Sequence, residues 1–261
     1  MQVILVRHAE TEWNVKGRIQ GHNDSALTLR GERQTSALLA AFAASDYRAE
    51  CVYASPLGRA WQMGQRLAES FYCSLIAEPA LKEQAFGQFE GMTSVELLQN
   101  NPDAAEALFN LDAEYCPPGG ESLSHASQRI MHFLSNLEKK HHHRTICLVS
   151  HGMVIQGVLA MLKSGSVDDF HRYAQPNASY SVFELVMEGV PPLDGGSRHI
   201  YVTWMEQLTY PKFLLFMFAV LPQFVVPVAG PVWLQLPVLG SIQKRAGMVS
   251  LGSVAMASGT F

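Results

Sequence analysis

Two basic residues, Arg7 and His8, directly follow a short apolar run at residues 3–6. The run reads Val-Ile-Leu-Val, and short β-branched runs of this kind are typical of buried strands in parallel sheets. A charged group beside such a strand needs a partner, because burial of an unpaired charge has a high free-energy cost. In open α/β sheets, ligands bind at the carboxyl ends of the strands. The pair therefore indicates an anion-binding site at the end of a first strand.

Two other fragments bring cationic groups to the same edge of the predicted sheet. In "SPLGRA", Arg59 lies in the first turn of a helix that follows a second strand. In "SHG", His151 lies at the end of a fourth strand. The helix N-terminus beside Arg59 adds partial positive charge, and guanidinium groups bind phosphoryl oxygens through paired hydrogen bonds. Together the three strand ends predict a site for a phosphoryl group.

The elements that would position these residues alternate between strand and helix patterns up to residue 186. Such alternation predicts a three-layer α/β/α sandwich with a mostly parallel central sheet. The predicted strands cover residues 3–6, 51–55, 73–79, 145–150 and 178–186. The predicted helices cover residues 27–43, 56–70, 122–140 and 152–165.

Three helix starts are also predicted from the sequence. Thr28 is expected to cap the helix at residues 27–43, since threonine is a favoured N-cap residue. Pro56 is expected in the first turn of the next helix, where proline is tolerated. Asp168 and Asp169 are expected to cap a short helix after residue 165.

Several fragments carry a family resemblance. The segment "LVRHAETEWN" resembles the "RHG" signature of the histidine phosphatase superfamily, which includes the cofactor-dependent phosphoglycerate mutases. The similarity continues in family order through "GRIQGHNDSALTLRGERQ", "YASPLGRA", "LKEQAFGQFEG", "PPGGES", "LVSHG" and "PNASYSVFEL". It covers about the first 186 residues and implies a phosphoglycerate mutase-like fold. Ala9 stands where the family usually has glycine, and because it is small we expect the backbone turn to survive.

The resemblance implies a reaction that passes through a phosphohistidine. His8 would be the nucleophile, because neutral imidazole can attack phosphorus at cellular pH. Glu83, in "LKEQAFG", would first give a proton to the leaving group and later take one from water. The expected catalytic residues are His8, Glu83, Arg7, Arg59 and a protonated His151. The expected phosphate-binding residues are Arg7, Asn14, Gln20, Gly21, Arg59 and His151.

No cofactor and no metal ion is expected, because the arginines would neutralise the phosphoryl charge. The run from His141 to His143 invites a metal-site hypothesis. Adjacent side chains point in different directions, however, whereas a metal site needs converging ligands. We therefore interpret the run as a solvated turn before the strand at residues 145–150.

The segment from Glu83 to Gln128, which would cover the pocket, contains no lysine or arginine. A mutase must hold a second anionic group, whereas an acidic and aromatic cover suits a phosphomonoester with a neutral or apolar leaving part. We therefore predict a phosphatase that acts on a small phosphorylated metabolite. Two alternatives stay open. One is phosphoryl transfer of the phosphoglycerate mutase type, since Lys16 and Arg18 lie near the mouth, and the other is a non-catalytic phosphate-binding module.

The composition bears on partners and compartment. A net charge of −4 argues against a nucleic-acid partner, because nucleic acids usually meet a basic surface. Arg7 interrupts the first apolar run, so no secretory signal is predicted. The four cysteines show no metal-binding spacing, and reduced cysteines favour the cytoplasm. The sequence does not indicate an oligomeric state.

Residues 187–261 form a tail that lies outside the family resemblance and outside the predicted catalytic domain at residues 1–186. Its stretch from Phe213 to Gln243 has no charged residue, but four prolines interrupt it and disfavour a membrane-spanning helix. Three interpretations stay open: a foreign or frame-shifted end, a segment that lies at a membrane surface, and a cover over an apolar face of the domain. We expect a chain that stops near Glu188 to fold.

Overall fold

The computed structural model describes residues 1–109, 112–141, 144–187, 200–208 and 249–250. The strands are β1 (Gln2–Arg7), β2 (Cys51–Ala54), β3 (Ser74–Ala77), β4 (Thr145–Ser150), β5 (Tyr180–Met187), β6 (Ile200–Leu208) and β7 (Val249–Ser250). They form one sheet in the order β3-β2-β4-β1-β5-β6-β7. This order places β1, with the Arg7-His8 pair at its end, in the middle of the sheet.

The register of the sheet brings three strand ends together. Strands β1 to β4 run parallel, whereas β5 runs antiparallel to β1. Val149 of β4 pairs with Val6 of β1 on one side and with Ala54 of β2 on the other. Arg7 pairs with Ser150, so the residues that follow these strands meet at one edge. The predicted α/β sandwich is confirmed.

Helices cover both faces of the sheet, because successive strand residues point to opposite sides. The helices are α1 (Glu12–Val15), α2 (Leu29–Ala43), α3 (Gly58–Phe71), α4 (Ser94–Asn100), α5 (Pro102–Phe109), α6 (Leu123–Lys140) and α7 (Gly152–Ser164). Short 3₁₀ helices cover Pro79–Leu81, Gly87–Phe89 and Val167–Tyr173. Leu5 and Leu148 pack with α6 and α7 in one core, while Val6 and Val149 pack with α2 and α3 in the other.

The start of α2 follows its local sequence, whereas the start of α3 does not. Thr28 caps α2 by accepting the backbone N–H of Gly31, as predicted. The prediction that Pro56 lies in a first helical turn is wrong, since α3 begins at Gly58. Asp24, from the loop after β1, accepts the backbone N–H of Gly58 at 2.5 Å. The start of α3 is therefore set by a residue far away in the sequence.

The short helix at Val167–Tyr173 also begins differently from the prediction. Ser166 is its N-cap and accepts the backbone N–H of Asp168 at 3.2 Å. Asp168 and Asp169 lie in the first turn, so the prediction that they cap the helix is wrong. The serine takes the cap because its hydroxyl precedes the first free N–H groups and reaches them directly.

The segment between β3 and α6 folds as a cover beside the strand ends. Phe86 and Leu108 belong to a small apolar cluster with buried residues of α4 and α5. Ile19, from the loop after β1, and Met153, from α7, pack against this cluster. The cover is thus attached to the same elements that carry the predicted site residues.

Two strands follow β5, so the set of five strands predicted from the sequence, which ends with the strand at residues 178–186, is incomplete. β6 pairs antiparallel with β5, and β7 pairs with β6. The β6 sequence, "IYVTWMEQL", is rich in β-branched and aromatic residues, but a glycine- and proline-rich segment separates it from the domain pattern. The domain boundary at residue 186 stays a prediction.

Two of the sequence-based interpretations concern residues outside the described ranges. The apolar stretch at residues 213–243 is one of them, and His142 with His143 is the other. Among the helices that the structure describes, none combines the length and the apolar character needed to cross a bilayer.

Candidate active site

His8 lies just beyond the end of β1 and is almost fully buried. Its Nδ1 donates a hydrogen bond to the carbonyl oxygen of Ala9 at 2.7 Å. A neutral imidazole carries one N–H, so this bond leaves Nε2 as the nitrogen with the free lone pair. The backbone of His8 is held from both sides, by the carbonyl of Ser150 and the N–H of Ala178, each at 3.1 Å. The strand ends therefore fix the ring with Nε2 as the potential nucleophile.

Arg59, in the first turn of α3, is 1% exposed, and the loop after β1 orients its guanidinium group. Nη1 donates to the carbonyl of Asn23 at 2.6 Å and to Oδ1 of Asp24 at 2.8 Å. Nη2 donates to the carbonyl of Gly21 at 2.8 Å. Its Nε is also buried and has no partner among the described residues.

Arg7 is held at the end of β1 in a similar way. Its Nη1 donates to the carbonyl of Gln175, and its buried Nε has no partner among the described residues. Gly152, the glycine of "SHG", gives Arg7 the room it needs, because a Cβ at that position would lie 3.1 Å from Cζ of Arg7. Two of the three predicted cations thus each keep one buried N–H free.

His151 is fully buried, and the centroid of its ring lies 5.2 Å from that of His8. Its Nε2 is 2.8 Å from Oγ of Ser55, whereas its buried Nδ1 has no partner within the described part of the chain. Burial, followed by the charges of Arg59, His8 and Arg7, lowers the pKa of His151 well below its ordinary value. The free protein therefore favours a neutral His151, while the protonated form expected beside a phosphate dianion stays a prediction.

The same environment keeps His8 neutral. Burial lowers the pKa of His8 well below its ordinary value, and the charges of Arg59 and Arg7 add to this effect. Burial also lowers the pKa of both arginines, while the negative charge of Glu83 acts in the opposite direction. A neutral imidazole is the form that can attack phosphorus, so burial prepares His8 for that role.

Glu83 lies in the loop after β3 but is docked on the N-terminus of α7. Its Oε1 accepts the backbone N–H groups of Val154 at 3.0 Å and Gln84 at 3.1 Å, and Oε2 accepts that of Met153 at 3.2 Å. The residue is 7% exposed, so it is not a solvated surface glutamate. Oε2 accepts only one of these bonds and is the oxygen left to exchange a proton.

The segment between β1 and α2 carries the predicted neutral donors, with Asn14 in α1 and Gln20 after it. Asn14 Oδ1 accepts hydrogen bonds from the backbone N–H and the hydroxyl of Thr11, each at 3.1 Å, and from Nδ2 of Asn177 at 3.2 Å. With Oδ1 occupied, the amide N–H groups are the end of Asn14 that is left for a ligand. Gln20 is less available to a ligand, because its Nε2 donates to Thr11 Oγ1 at 2.9 Å and its Oε1 accepts from the Ser25 hydroxyl at 3.3 Å.

Glycine is required at Gly21. Its φ is +52°, a conformation that favours glycine, and a Cβ there would collide with the carboxylate of Glu90. Position 9, by contrast, does not require glycine. Among the described residues, Tyr72 and Ala178 are the non-glycine residues with positive φ, so the backbone at Ala9 is open to alanine.

A cavity of about 400 Å³ opens beside these residues. Seven of the eight predicted site residues line it: Arg7, His8, Asn14, Gln20, Gly21, Arg59 and Glu83. His151 is not among the lining residues because it is fully buried, but its ring lies directly beside that of His8, which lines the cavity. Within the described ranges, no group of three or more histidine, cysteine, aspartate or glutamate side chains could hold a metal ion.

Comparison with known proteins identifies the family. A family model described as the histidine phosphatase superfamily (branch 1) matches residues 3–191. The chain belongs to this superfamily. The resemblance that the sequence fragments suggested is therefore confirmed, and the phosphoglycerate mutase-like fold with it.

Individual relatives of this histidine phosphatase include both phosphatases and a mutase-like protein. Phosphoserine phosphatase 1 of Hydrogenobacter thermophilus is 32% identical over 185 residues, which cover 71% of this chain and 87% of the relative. A probable phosphoglycerate mutase GpmB of Enterobacter sp. is 35% identical over 155 residues, which cover 59% and 71%.

Two solved structures show the same fold. Bacillus stearothermophilus YhfR has a TM-score of 0.66 and 27% identity, and the match covers 76% of this chain and 94% of that one. The alpha-ribazole phosphatase from Shigella flexneri has a TM-score of 0.64 and 27% identity, and the match covers 71% and 91%.

Three residues of the histidine phosphatase site were missed by the sequence reasoning. Ser55 contacts His151, Gln175 contacts Arg7, and Asn177 binds both the carbonyl of His8 and the side chain of Asn14. Ser55 lies in the quoted fragment "YASPLGRA", so it could have been found as a residue at a strand end. Gln175 and Asn177 precede β5, and an antiparallel β5 beside β1 is the feature that would have indicated them.

Proposed function

We propose that this histidine phosphatase hydrolyses small phosphomonoesters through a phosphohistidine formed on His8. The observation that carries the proposal is a set of three buried nitrogen atoms without partners among the described residues: Arg7 Nε, Arg59 Nε and His151 Nδ1. Buried polar atoms are normally paired, because an unpaired one costs free energy. Unpaired nitrogens from the ends of three different strands suit a phosphoryl group bound beside His8.

In the first step, Nε2 of His8 forms a bond to phosphorus while the bond from phosphorus to the leaving oxygen breaks. Glu83 gives a proton from Oε2 to that oxygen, so the product leaves as a neutral alcohol. In the second step, water attacks the phosphohistidine, and Glu83 takes its proton back. Inorganic phosphate leaves, and His8 returns to the neutral form. Arg7 and Arg59 hold the phosphoryl charge in both steps.

The walls of the cavity favour a leaving part that is neutral or apolar. Beyond the residues assigned to the phosphoryl group, the lining is largely apolar and includes Ile19, Phe86, Leu108, Met153 and Phe170. Arg18 is the one further arginine or lysine among the described residues that line the cavity. Arg18 already donates to the carbonyl of Gly91, and its guanidinium lies 3.5 Å from the carboxylate of Glu96. These partners neutralise part of its positive charge. A second anionic group, which a mutase must hold, has little to bind here.

The phosphatases among the relatives support hydrolysis, and the mutase-like relative supplies the competing hypothesis. We further propose that the enzyme acts in the cytoplasm on a small metabolite, without a nucleic-acid partner. The net charge of −4 and the free thiols of Cys51, Cys73, Cys116 and Cys147 support this assignment.

A substrate panel tests the proposal. Aryl phosphates, alkyl phosphates, phosphoserine and 3-phosphoglycerate would be compared by release of inorganic phosphate. A mutase assay would be run beside it, with and without a bisphosphoglycerate primer. We expect hydrolysis with the highest kcat/KM for neutral or apolar leaving parts, and none in His8→Ala. Primer-dependent isomerisation of phosphoglycerate faster than hydrolysis of every ester in the panel would reverse the assignment.

A further inference from the structure

Ser55 and His151 form a buried pair at the ends of β2 and β4. Both side chains are fully buried, and Oγ of Ser55 lies 2.8 Å from Nε2 of His151. The same Oγ accepts the backbone N–H of Leu57 at 3.3 Å. On the other side of the ring, Nδ1 of His151 has no partner among the described residues. The serine hydroxyl therefore stands between a backbone donor and one nitrogen of the ring.

The protons of this pair can be arranged in two ways while His151 is neutral. If Nε2 carries the ring proton, it donates to Ser55, and the hydroxyl proton of Ser55 then has no acceptor among its recorded contacts. If Nδ1 carries the ring proton, Leu57 N–H donates to Ser55 Oγ and Ser55 O–H donates to Nε2. The second arrangement satisfies every group of the pair except Nδ1–H. It is favoured because an unsatisfied buried hydroxyl has a free-energy cost.

We propose that Ser55 is a positioning residue that holds neutral His151 in the Nδ1–H form, so that this ring donates a hydrogen bond to a bound phosphoryl oxygen. The inference rests on the proposed function for the identity of the anion. The form of the ring itself is a property of the free protein and exists without turnover.

A neutral donor suits this location because protonation of His151 is opposed on several sides. Burial comes first, and the charged or titratable groups that oppose the cation are Arg59, His8, Arg7 and His22. An enzyme that needed a protonated His151 would have to capture a proton with each phosphoryl group. With Ser55 in place, the ring is already a donor before the anion arrives, so binding requires no proton.

Nitrogen NMR of protein with ¹⁵N-labelled histidine tests the form of the ring directly, because the shifts of Nδ1 and Nε2 distinguish the two neutral forms. His151 resonances would be assigned with His151→Gln. At pH 8 the sulfate-free wild-type protein should show His151 with the proton on Nδ1. A proton on Nε2, or on both nitrogens, would overturn the proposal, and this measurement does not depend on any Ser55 variant folding.

Sulfate binding gives a second readout, since sulfate is a dianion over the whole range in which histidine titrates. Calorimetry at pH 8 in buffers of different ionisation enthalpy measures the protons taken up with each sulfate. Wild-type protein should take up close to none, whereas a His151 that must be protonated to bind would take up about one. Uptake of about one proton that disappears in His151→Gln would contradict the proposal.

Three serine variants separate positioning from packing. Ser55→Ala should lower the Nδ1–H population of His151 and weaken sulfate about tenfold, while Ser55→Thr, which keeps a hydroxyl, should restore both. Ser150→Ala is the matched control, because it removes another fully buried hydroxyl, one that donates to the carbonyl of Leu81 at 2.8 Å. It should lower the melting temperature and leave the ring unchanged. A folded Ser55→Ala protein with the wild-type ring form and sulfate affinity would refute the assignment.

The two proposals fail in different experiments. A protein with no activity toward any phosphomonoester but with His151 in the Nδ1–H form would reject the proposed function and keep the role of Ser55. A fully active enzyme whose His151 carries its proton on Nε2 would do the reverse.

Discussion

The carboxylate of Glu83 accepts the backbone N–H of Val154 at 3.0 Å, across 71 positions of the sequence. Val154 lies in the first turn of α7, the helix that begins directly after His151. Glu83, in the loop after β3, is thereby fixed to the helix whose N-cap is His151. The proposed acid/base group and one proposed phosphoryl-binding group are therefore positioned against each other by one helix N-terminus.

Glu83→Gln should separate proton donation from phosphoryl transfer. The variant keeps an amide oxygen that can accept the N–H groups of α7, but it has no proton to give. We expect kcat for alkyl phosphates to fall by about two to four orders of magnitude, and that for nitrophenyl phosphate to fall much less in the phosphorylation step. Single-turnover kinetics with both esters would measure this. Glu12→Gln, which changes a half-buried glutamate that pairs with Lys16 at 3.4 Å, is the matched control. Equal losses for the two esters would argue against Glu83 as the proton donor.

His8→Ala should abolish turnover, because it removes the ring nitrogen that bonds to phosphorus. The wild-type enzyme should form a phosphoprotein that is labile in acid and stable in base, and the variant should form none. Labelling with a ³²P-phosphate ester followed by acid and base treatment would show this. His132→Ala, which changes an exposed histidine of α6, should behave like the wild type. Retention of the label in a folded His8→Ala protein would show that a residue other than His8 is the nucleophile.

The stability of the protein should fall with decreasing pH in the range where free histidine titrates. Burial holds the pKa of His8 and His151 well below the ordinary value of 6.5 in the folded state. Below pH 6.5 the unfolded chain therefore binds protons that the folded chain does not. The free energy of unfolding should decrease by up to about 1.4 kcal/mol per pH unit for each of the two histidines, and should be flat above about pH 7.5.

Urea unfolding between pH 5.5 and 8 would measure this slope. A variant with both His8→Gln and His151→Gln should show a shallower slope than the wild type, because two of the linked groups are gone. His132→Gln should keep the wild-type slope, since that histidine is exposed. If the double variant keeps the full slope, the two buried rings are not the linked groups.

Shortened chains would test where the catalytic domain ends. A chain that stops after Met187 leaves β5 without its β6 partner, whereas a chain that stops after Leu208 keeps that pairing. We expect the shorter chain to melt lower, by roughly 4–8 °C if the lost pairing is worth about 2 kcal/mol. Both chains should hydrolyse nitrophenyl phosphate at room temperature, because the site residues precede β5. Thermal melts and this assay on the two chains would test it, and equal melting temperatures would support the boundary at residue 186.

The sequence by itself determined the fold class and most of the site. Short apolar runs ended by Arg7-His8 and His151 are local patterns, and parallel strands bring such ends to one edge whatever the details of packing. Seven of the predicted residues line one cavity: the strand ends account for Arg7, His8 and Arg59, and the family resemblance indicated the other four. The strand alternation and the family fragments were sufficient for that result.

Only the tertiary structure decided how the site residues are held. Asp24 sets the start of α3 and orients Arg59. Ser55 contacts His151, and Asn177 donates a hydrogen bond to the amide oxygen of Asn14. These hydrogen bonds join residues that are far apart in the chain, so no periodicity or local motif records them. Burial acts in the same way, since the low pKa of His151 comes from the packing of several elements around it rather than from its neighbours in sequence.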